Sequence, residues 1–385
     1  MTNQINVQVN QQLSGCLLKE KGEFIFNYAQ TQPENFVSLT MPVRVKSYTH
    51  PKLHPIFEMH LPEGYLLSVI KKHFSKITDT DDFGLLKILS PSVRGRINYD
   101  TEVFSASPLT LEDLLHPKQE DLFKGLVARF ALHSPLSGVQ PKVLAQVENK
   151  ATLKLEDYIV KTWGADYPQL ALNEYFCMLT VKKAGIDVPE FYLSDDDALF
   201  IMKRFDIDSN GQTKGFEDLC VIQAKSRDEK YKGSYEQIAK SIKTFTSPDY
   251  KMHSLHNFFK MVVLNNHLQN GDAHLKNFGL IYDNINSVRL SPAYGVVNTT
   301  FYVENDIAAL TLMGSKKWWG RKFLIRFGIE TCDLSSKQAD QLYNECEFAL
   351  DSVNQLVKTR LETENMTEKR LLLEHLSRLM ENKPT

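Results

Sequence analysis

The spacing of apolar and polar positions divides the chain into stretches of different period. Near the start, EFIFNYA at 23–29 and FVSLTM at 36–41 concentrate aromatic and β-branched residues on either side of the turn-like TQPEN, which predicts two short strands of a small sheet. GYLLSVIKKHF, 64–74, has apolar residues at helical spacing, with the prolines at 51, 55 and 62 outside it, and predicts a helix. Between Asp100 and Leu111 the segment TEVFSASPLT loses periodicity, and a domain boundary is placed there. From Ser137 the order becomes strand, strand, strand, helix. KVLAQVE and ATLKLE flank Asn149-Lys150 as a hairpin, YIVKTW at 158–163 is a third strand, and ALNEYFCMLTVKKAG is helical with Gly185 as its stop. ALFIMKRFDI, 198–207, reads as a further buried strand. Beyond it the pattern is mostly helical, interrupted from Asn270 to Thr300, with two helices expected within 336–381.

Composition narrows the class. A chain of 385 residues accommodates two or three packed units, and its 42% hydrophobic content excludes a disordered or fibrous protein. Lys+Arg 45 against Asp+Glu 47 gives a net charge of −2, which removes any general attraction to nucleic acid or an anionic membrane. Five scattered cysteines, Cys16, Cys177, Cys220, Cys332 and Cys346, form no CxxC pair, so a reducing compartment is expected rather than a disulfide framework. With no apolar run near the roughly 20 residues of a membrane span and no secretory pattern at the N-terminus, the expected location is cytoplasmic.

The strongest chemical signal is NGDAHLKNFGLIYD, 270–283, which follows the apolar helical run NFFKMVVLNNHL and leads into a short strand. Asp272 and Asn277 are five positions apart on the resulting loop. Phosphoryl transfer needs a carboxylate to orient or deprotonate the attacking hydroxyl and an amide oxygen to hold a metal on the phosphates, and D-x-x-x-x-N supplies both. Lys276 adds positive charge and His274 can brace the loop. The plain alternative is a capped loop in which Asp and Asn satisfy backbone groups. Upstream, Lys161 on a strand and Glu174 on the next helix follow the order of the ion pair that positions nucleotide phosphates in protein kinases.

These segments resemble one family. SGVQPK at 137–142, YIVKTW, LNEYFCMLTVKKAGIDVP at 172–189, MKRFD at 202–206, FEDLC at 216–220, NGDAHLKNFGL at 270–280 and LSPAYGVVNTT at 290–300 are similar, in order, to motifs of the HipA family, the serine/threonine kinase toxins of type II toxin–antitoxin modules. SLTMPVR and PIFEMHLPEG resemble that family's N-terminal subdomain. The resemblance implies an α+β, two-lobed protein-kinase-like fold with an additional N-terminal β-rich subdomain and a mostly helical C-terminal lobe. Its expected divisions are 1–105 for the subdomain, 106–206 for the kinase N-lobe and 207–385 for the C-lobe. It implies ATP and Mg2+ as cofactors. Ser137, Gly138, Val139, Gln140 and Lys142 would cover the phosphates, Lys161 contact them with Glu174 as its partner, and Met202, Lys203 and Phe205 line the adenine hinge. Asp272 would be the catalytic base and Asn277 a magnesium ligand. The implied partners are a HipB-like DNA-binding antitoxin and a protein substrate such as an aminoacyl-tRNA synthetase, with DNA reached only through the antitoxin and no membrane.

Two positions depart from the family pattern. Gly295 stands where the family normally carries an Asp that is the second protein ligand for magnesium. The next acids are Glu304 and Asp306, so weakened catalysis or a pseudokinase is an expectation. In the phosphate loop, Pro135 replaces a serine that other members autophosphorylate, which leaves Ser137 or Ser134 as the regulatory candidates. KKWWGRKFLIR, 316–326, interleaves basic and aromatic residues. It is read as a helix with buried rings and wet basic heads, against the alternative of a docking patch for an acidic partner. Two other functions stay open: a small-molecule phosphotransferase, since GDAHLKN also resembles the catalytic loops of aminoglycoside and choline kinases, and a catalytically dead binding protein.

Overall fold

The computed structural model describes residues 4–63, 67, 81–99, 109–117, 142–149, 154–164, 166–208 and 210–382. The predicted helix at 64–74 and the phosphate-loop residues Ser134, Pro135, Ser137, Gly138, Val139 and Gln140 lie outside the described residues. The chain divides into two compact units, one of residues 1–162, 194–229 and 281–286, the other of 163–193, 230–280 and 287–385.

The first unit begins with an antiparallel sheet of β1 (Gln4–Val9), β2 (Gln12–Glu20), β3 (Glu23–Tyr28), β4 (Tyr48–His50) and β5 (Ile97–Tyr99), in the order β4-β3-β2-β1-β5. Tight turns set its register. Asn10 and Gln11, then Lys21 and Gly22, all have positive φ, the backbone that matches the twist of a two-residue hairpin. Val7, Val9, Leu17 and Phe26 fill its buried face. A Cβ on Gly15 would lie 2.3 Å from the Asn27 carbonyl oxygen, so only glycine lets β2 and β3 approach there.

The predicted strand at 36–41 is not a strand. Among the described residues its pairing is an isolated Ser38–Met41 bridge, because its donors are used differently: the Ser38 side-chain Oγ and the Leu39 backbone N donate to the buried Glu217 carboxylate at 2.6 and 2.8 Å. A second correction concerns the strands after Ser137. β6 (Leu109–Thr110) pairs with β7 (Lys142–Asn149), which pairs with β8 (Lys154–Lys161) in unbroken register from Lys142–Lys161 to Asn149–Lys154. The predicted second and third strands are thus one. Asp157, between the two expected strands, lies mid-strand with Arg94 Nη1 3.6 Å from its Oδ1. After β9 (Phe191–Leu193) in the second unit, β10 (Phe200–Lys203) returns to pair with β8, and β11 (Gly215–Asp218) carries Glu217.

The second unit is helical. Its main helices are Leu170–Lys183, Tyr235–Phe245, Pro248–His267, Arg321–Thr331, Ser336–Thr363 and Thr367–Glu381, and the last two fulfil the C-terminal expectation. Gly185, φ +70°, stops the first, and Ser335 with Gln338 forms a capping box on the fifth. β12 (Gly279–Tyr282) and β13 (Arg289–Leu290) follow the loop at 270–278. The expected helix at 316–326 starts only at Arg321. Trp319 is buried ahead of it, where its backbone N–H donates to Asn266 Oδ1 at 2.7 Å while Lys317 Nζ lies 4.0 Å from its ring centroid. Among the described residues no helix is long and apolar enough to cross a membrane.

Candidate active site

The loop at 270–278 is built from the end of the helix Pro248–His267 outward. Gln269 turns the chain with φ +48°. The buried Asn270 then ties the turn on both sides: its Nδ2 donates to Asn265 Oδ1 at 2.8 Å, and its Oδ1 accepts from Asp272 N at 3.1 Å. Gly271 N donates to Thr299 Oγ1 at 2.8 Å, and a Cβ at this position would lie 1.9 Å from Asp306 Oδ2. Glycine is therefore required where the loop passes under Asp306, whose carboxylate accepts from Thr299 Oγ1 and from Ile307 N at 2.9 Å.

This geometry presents Asp272 outward, with its side chain 48% exposed. Tyr231 donates its phenol O–H to Asp272 Oδ1 at 2.5 Å. His274 Nε2 is 3.7 Å from the same oxygen, too far for a hydrogen bond, and its ring packs edge-on against Tyr231 at 5.0 Å. His274 thus packs on the tyrosine ring and makes no direct hydrogen bond to the Asp272 carboxylate. Leu275–Asn277 form one 3-10 turn, and the Lys276 carbonyl accepts from Tyr294 OH at 2.8 Å. The turn aims Asn277 at position 295, where its Nδ2 donates to the Gly295 carbonyl at 3.0 Å.

Gly295 adopts φ +65°, and a Cβ built on it would stand 2.9 Å from Asn277 Nδ2. The neighbour is the end of a flexible side chain, and Asp tolerates left-handed backbone better than most residues, so an acid fits here after a small shift of the amide. As it stands, position 295 supplies no carboxylate. Asp306 is engaged with Thr299 and its own loop, and the described residues contain no cluster of three or more His, Cys, Asp or Glu suited to a metal ion. Magnesium is normally bound through one or two carboxylates together with phosphates. The side chains present therefore do not make the two-ligand set that the family resemblance implies.

Glu174 is fully buried on the helix Leu170–Lys183 of this second unit. The residue before it fixes that helix to the site. Asn173 Nδ2 donates to the Asn298 carbonyl and its Oδ1 accepts from Asn298 N, both at 2.9 Å, while Asn298 Nδ2 reaches the Leu268 carbonyl at 2.9 Å. The other predicted residues belong to the first unit. Lys161 ends β8 opposite Lys142 and Phe200, 6% exposed, with Nζ 5.4 Å from the Phe200 ring centroid. Met202 is buried in β10, Lys203 pairs with Glu156 at 2.9 Å, and Phe205 packs edge-on against Phe216 at 5.3 Å. Sequence reading missed Tyr231, Asn270, Thr299, Asp306 and the Asn173–Asn298 pair. The one available signal was a run of Asn and Thr in otherwise apolar or glycine-containing segments.

The sequence family described as the HipA-like C-terminal domain matches residues 134–354, and the HipA N-terminal domain matches 5–100. The chain belongs to the HipA family. A Sinorhizobium fredii protein named "Putative kinase Y4dM" is 29% identical to this HipA-family chain over 68% of it and 66% of the relative. A Haemophilus influenzae protein named "Putative kinase" is 30% identical over 47% of the chain and 58% of the relative. The matched region thus spans less than two thirds of either relative. Among solved structures, HipA of Shewanella oneidensis MR-1, in a complex with HipB and operator DNA, matches with TM-score 0.73 and 16% identity over 98% of this chain and 95% of that one. The fold is accordingly the HipA-type α+β, kinase-like arrangement, with a β-rich N-terminal region and a helical C-terminal part.

Proposed function

We propose that this HipA-family protein transfers the γ-phosphate of ATP to a hydroxyl of a protein serine, with Asp272 as the base. The observation that carries the reading is the half-exposed Asp272 carboxylate, offered to solvent on a loop held from behind by Asn270 and Thr299 and already within hydrogen-bond distance of a hydroxyl. That is the reach a general base needs toward the proton it takes. In this reading Asp272 orients the acceptor O–H and accepts its proton as the oxygen attacks phosphorus, Lys161 meets the phosphates, and residues 134–142 cover them. The reading keeps the divisions expected from the resemblance, at 1–105, 106–206 and 207–385. A HipB-like antitoxin as partner is supported by the fold shared with a HipA crystallised with HipB, and an aminoacyl-tRNA synthetase remains the substrate class that the resemblance suggests.

Gly295 favours a second reading, a binding protein that has lost turnover, because no carboxylate stands where the metal would be held. Comparing γ-phosphate transfer by the chain and its Gly295→Asp form decides between them. The kinase reading predicts measurable transfer by the parent and a gain of about tenfold or more in the variant, since a charged metal ligand supplies more than about 1.4 kcal/mol of transition-state stabilisation. Absence of transfer and of nucleotide binding in both chains would leave the binding-protein reading.

A further inference from the structure

The second unit carries a trough to which the loop at 270–278 contributes no residue. Lys183, Ala184 and Gly185, where the helix Leu170–Lys183 ends, form one wall, and Lys337, Asn344 and Phe348 of the helix Ser336–Thr363 form the other; together they bound about 860 Å3, open to solvent along one side. Lys337, Asn344 and Phe348 share one stripe of their helix, and the eleven residues from the lysine to the ring make three turns, about 16 Å of axis. The acids of the trough are already matched inside the protein. Arg321 Nη2 is 3.1 Å from Asp340 Oδ1. The buried Lys260 donates to the Ala184 carbonyl at 2.6 Å with its Nζ 3.4 Å from Glu345 Oε2, and Gln341 Nε2 donates to Glu345 Oε1 at 3.1 Å. The lysines are not matched. Among the described residues Lys183, Lys337 and the Asn344 side chain make no hydrogen bond or ion pair, and the first turn of the helix Ser336–Thr363 has no acid to offset its positive end. At the far end of the stripe Phe348 is 71% exposed. A lone exposed ring is ordinary on a protein surface, but this one ends a trough whose cations also lack partners.

We infer that this trough is a docking site for a segment of a partner protein that carries an acidic side chain about five residues from an aromatic or large aliphatic one. The length sets that spacing, since about 16 Å corresponds to about five residues of extended chain. The open side admits a chain running through, whereas a small-molecule site encloses most of its ligand. Charge sets the direction. The acid meets Lys337 and Lys183, the Asn344 amide is available to the segment's backbone, and the apolar side chain covers the Phe348 ring. The ion pairs steer encounter and fix register, while covering the ring removes apolar surface from water. Binding here needs neither nucleotide nor metal, so it stands or falls apart from the transfer reading.

The test selects displayed random 12-residue peptides on the immobilised full chain without nucleotide, then measures the recovered peptides, fluorescein-labelled, by anisotropy against the parent, Phe348→Ala and the double variant Lys183→Glu/Lys337→Glu. The expected result is a shared acid about five residues from an aromatic or large aliphatic residue, with Kd raised at least tenfold by either variant. All three positions line the open trough, so thermal unfolding of both variants should match the parent. Charge reversal guards against a trivial loss of binding: the same peptide with lysine in place of its acid is expected to bind the double variant more tightly than it binds the parent. Recovered peptides without the acid, or with equal affinity for parent and both variants, overturn the inference. So does a failure of the reversed peptide to prefer the double variant. If no peptide is recovered and sedimentation shows a dimer of the parent that Phe348→Ala dissociates, the occupant is a second copy of this chain and the partner-segment inference is overturned.

Discussion

Glu217 and Asp272 each accept a tyrosine O–H, and they do so for opposite reasons. Glu217, in the first unit, is completely buried and accepts from Ser38 Oγ, Leu39 N and Tyr282 OH at 2.6, 2.8 and 2.6 Å. Glycine at 215 clears its surroundings, since a Cβ there would meet the Tyr282 ring at 2.1 Å. Asp272, in the second unit, is half open and has one strong side-chain donor, Tyr231. A buried carboxylate surrounded by donors holds structure together, and losing it leaves those donors unpaired. An exposed carboxylate with one displaceable donor is available for chemistry and holds little of the fold.

The comparison can be broken most directly at Asp272. Asp272→Asn, whose amide still accepts the phenol hydrogen bond, is expected to lower phosphate transfer by about 10²–10⁴ while thermal unfolding shifts by less than about 0.5 kcal/mol in stability. A large loss of stability would make the carboxylate structural. The mirror experiment, Glu217→Ala, strands three donors and removes the charge that Arg96 faces, so denaturant unfolding should show a loss of about 3–5 kcal/mol. A loss below about 1 kcal/mol would contradict its structural role.

The smallest effect concerns pH. Burial raises the Glu217 carboxyl above the usual range, outweighing the donors Ser38 and Tyr282, the Leu39 N–H and the nearby Arg96. Because the folded state then binds this proton more tightly than the unfolded chain does, the group's contribution is fully present below the unfolded carboxyl value and is lost as pH rises through the raised one. Glu217→Gln should flatten that decline in unfolding midpoints recorded from acid to neutral pH. Identical slopes in parent and variant would remove the pH argument.

Much of this was visible in local pattern. The helix Leu170–Lys183 with its Gly185 stop, the run Pro248–His267 and the two C-terminal helices have apolar periodicity and caps that act within a few residues. The errors came where distant partners decide. FVSLTM has strand composition, yet Glu217, nearly 180 residues away, takes its hydrogen bonds. ATLKLE and YIVKTW read as two strands, yet one strand runs through Asp157, which Arg94 faces. In KKWWGRKFLIR, Gly320 and the burial of Trp319 against Asn266 delay the helix.

The sequence by itself determined the family, through motifs whose order and spacing are local chemistry, and it placed Asp272 and Asn277 on one loop because five residues span little more than one turn of chain. Only the tertiary structure decided how that loop is used. It brought Thr299 and Asp306 back onto Gly271, turned the Asn277 amide onto the Gly295 carbonyl, and set the Tyr231 hydroxyl against Asp272. Those contacts join residues 18 to 41 positions apart, or pass through a third residue, as Asp306 does through Thr299. No periodicity in the chain encodes them, because they exist only once packing has closed the intervening loops.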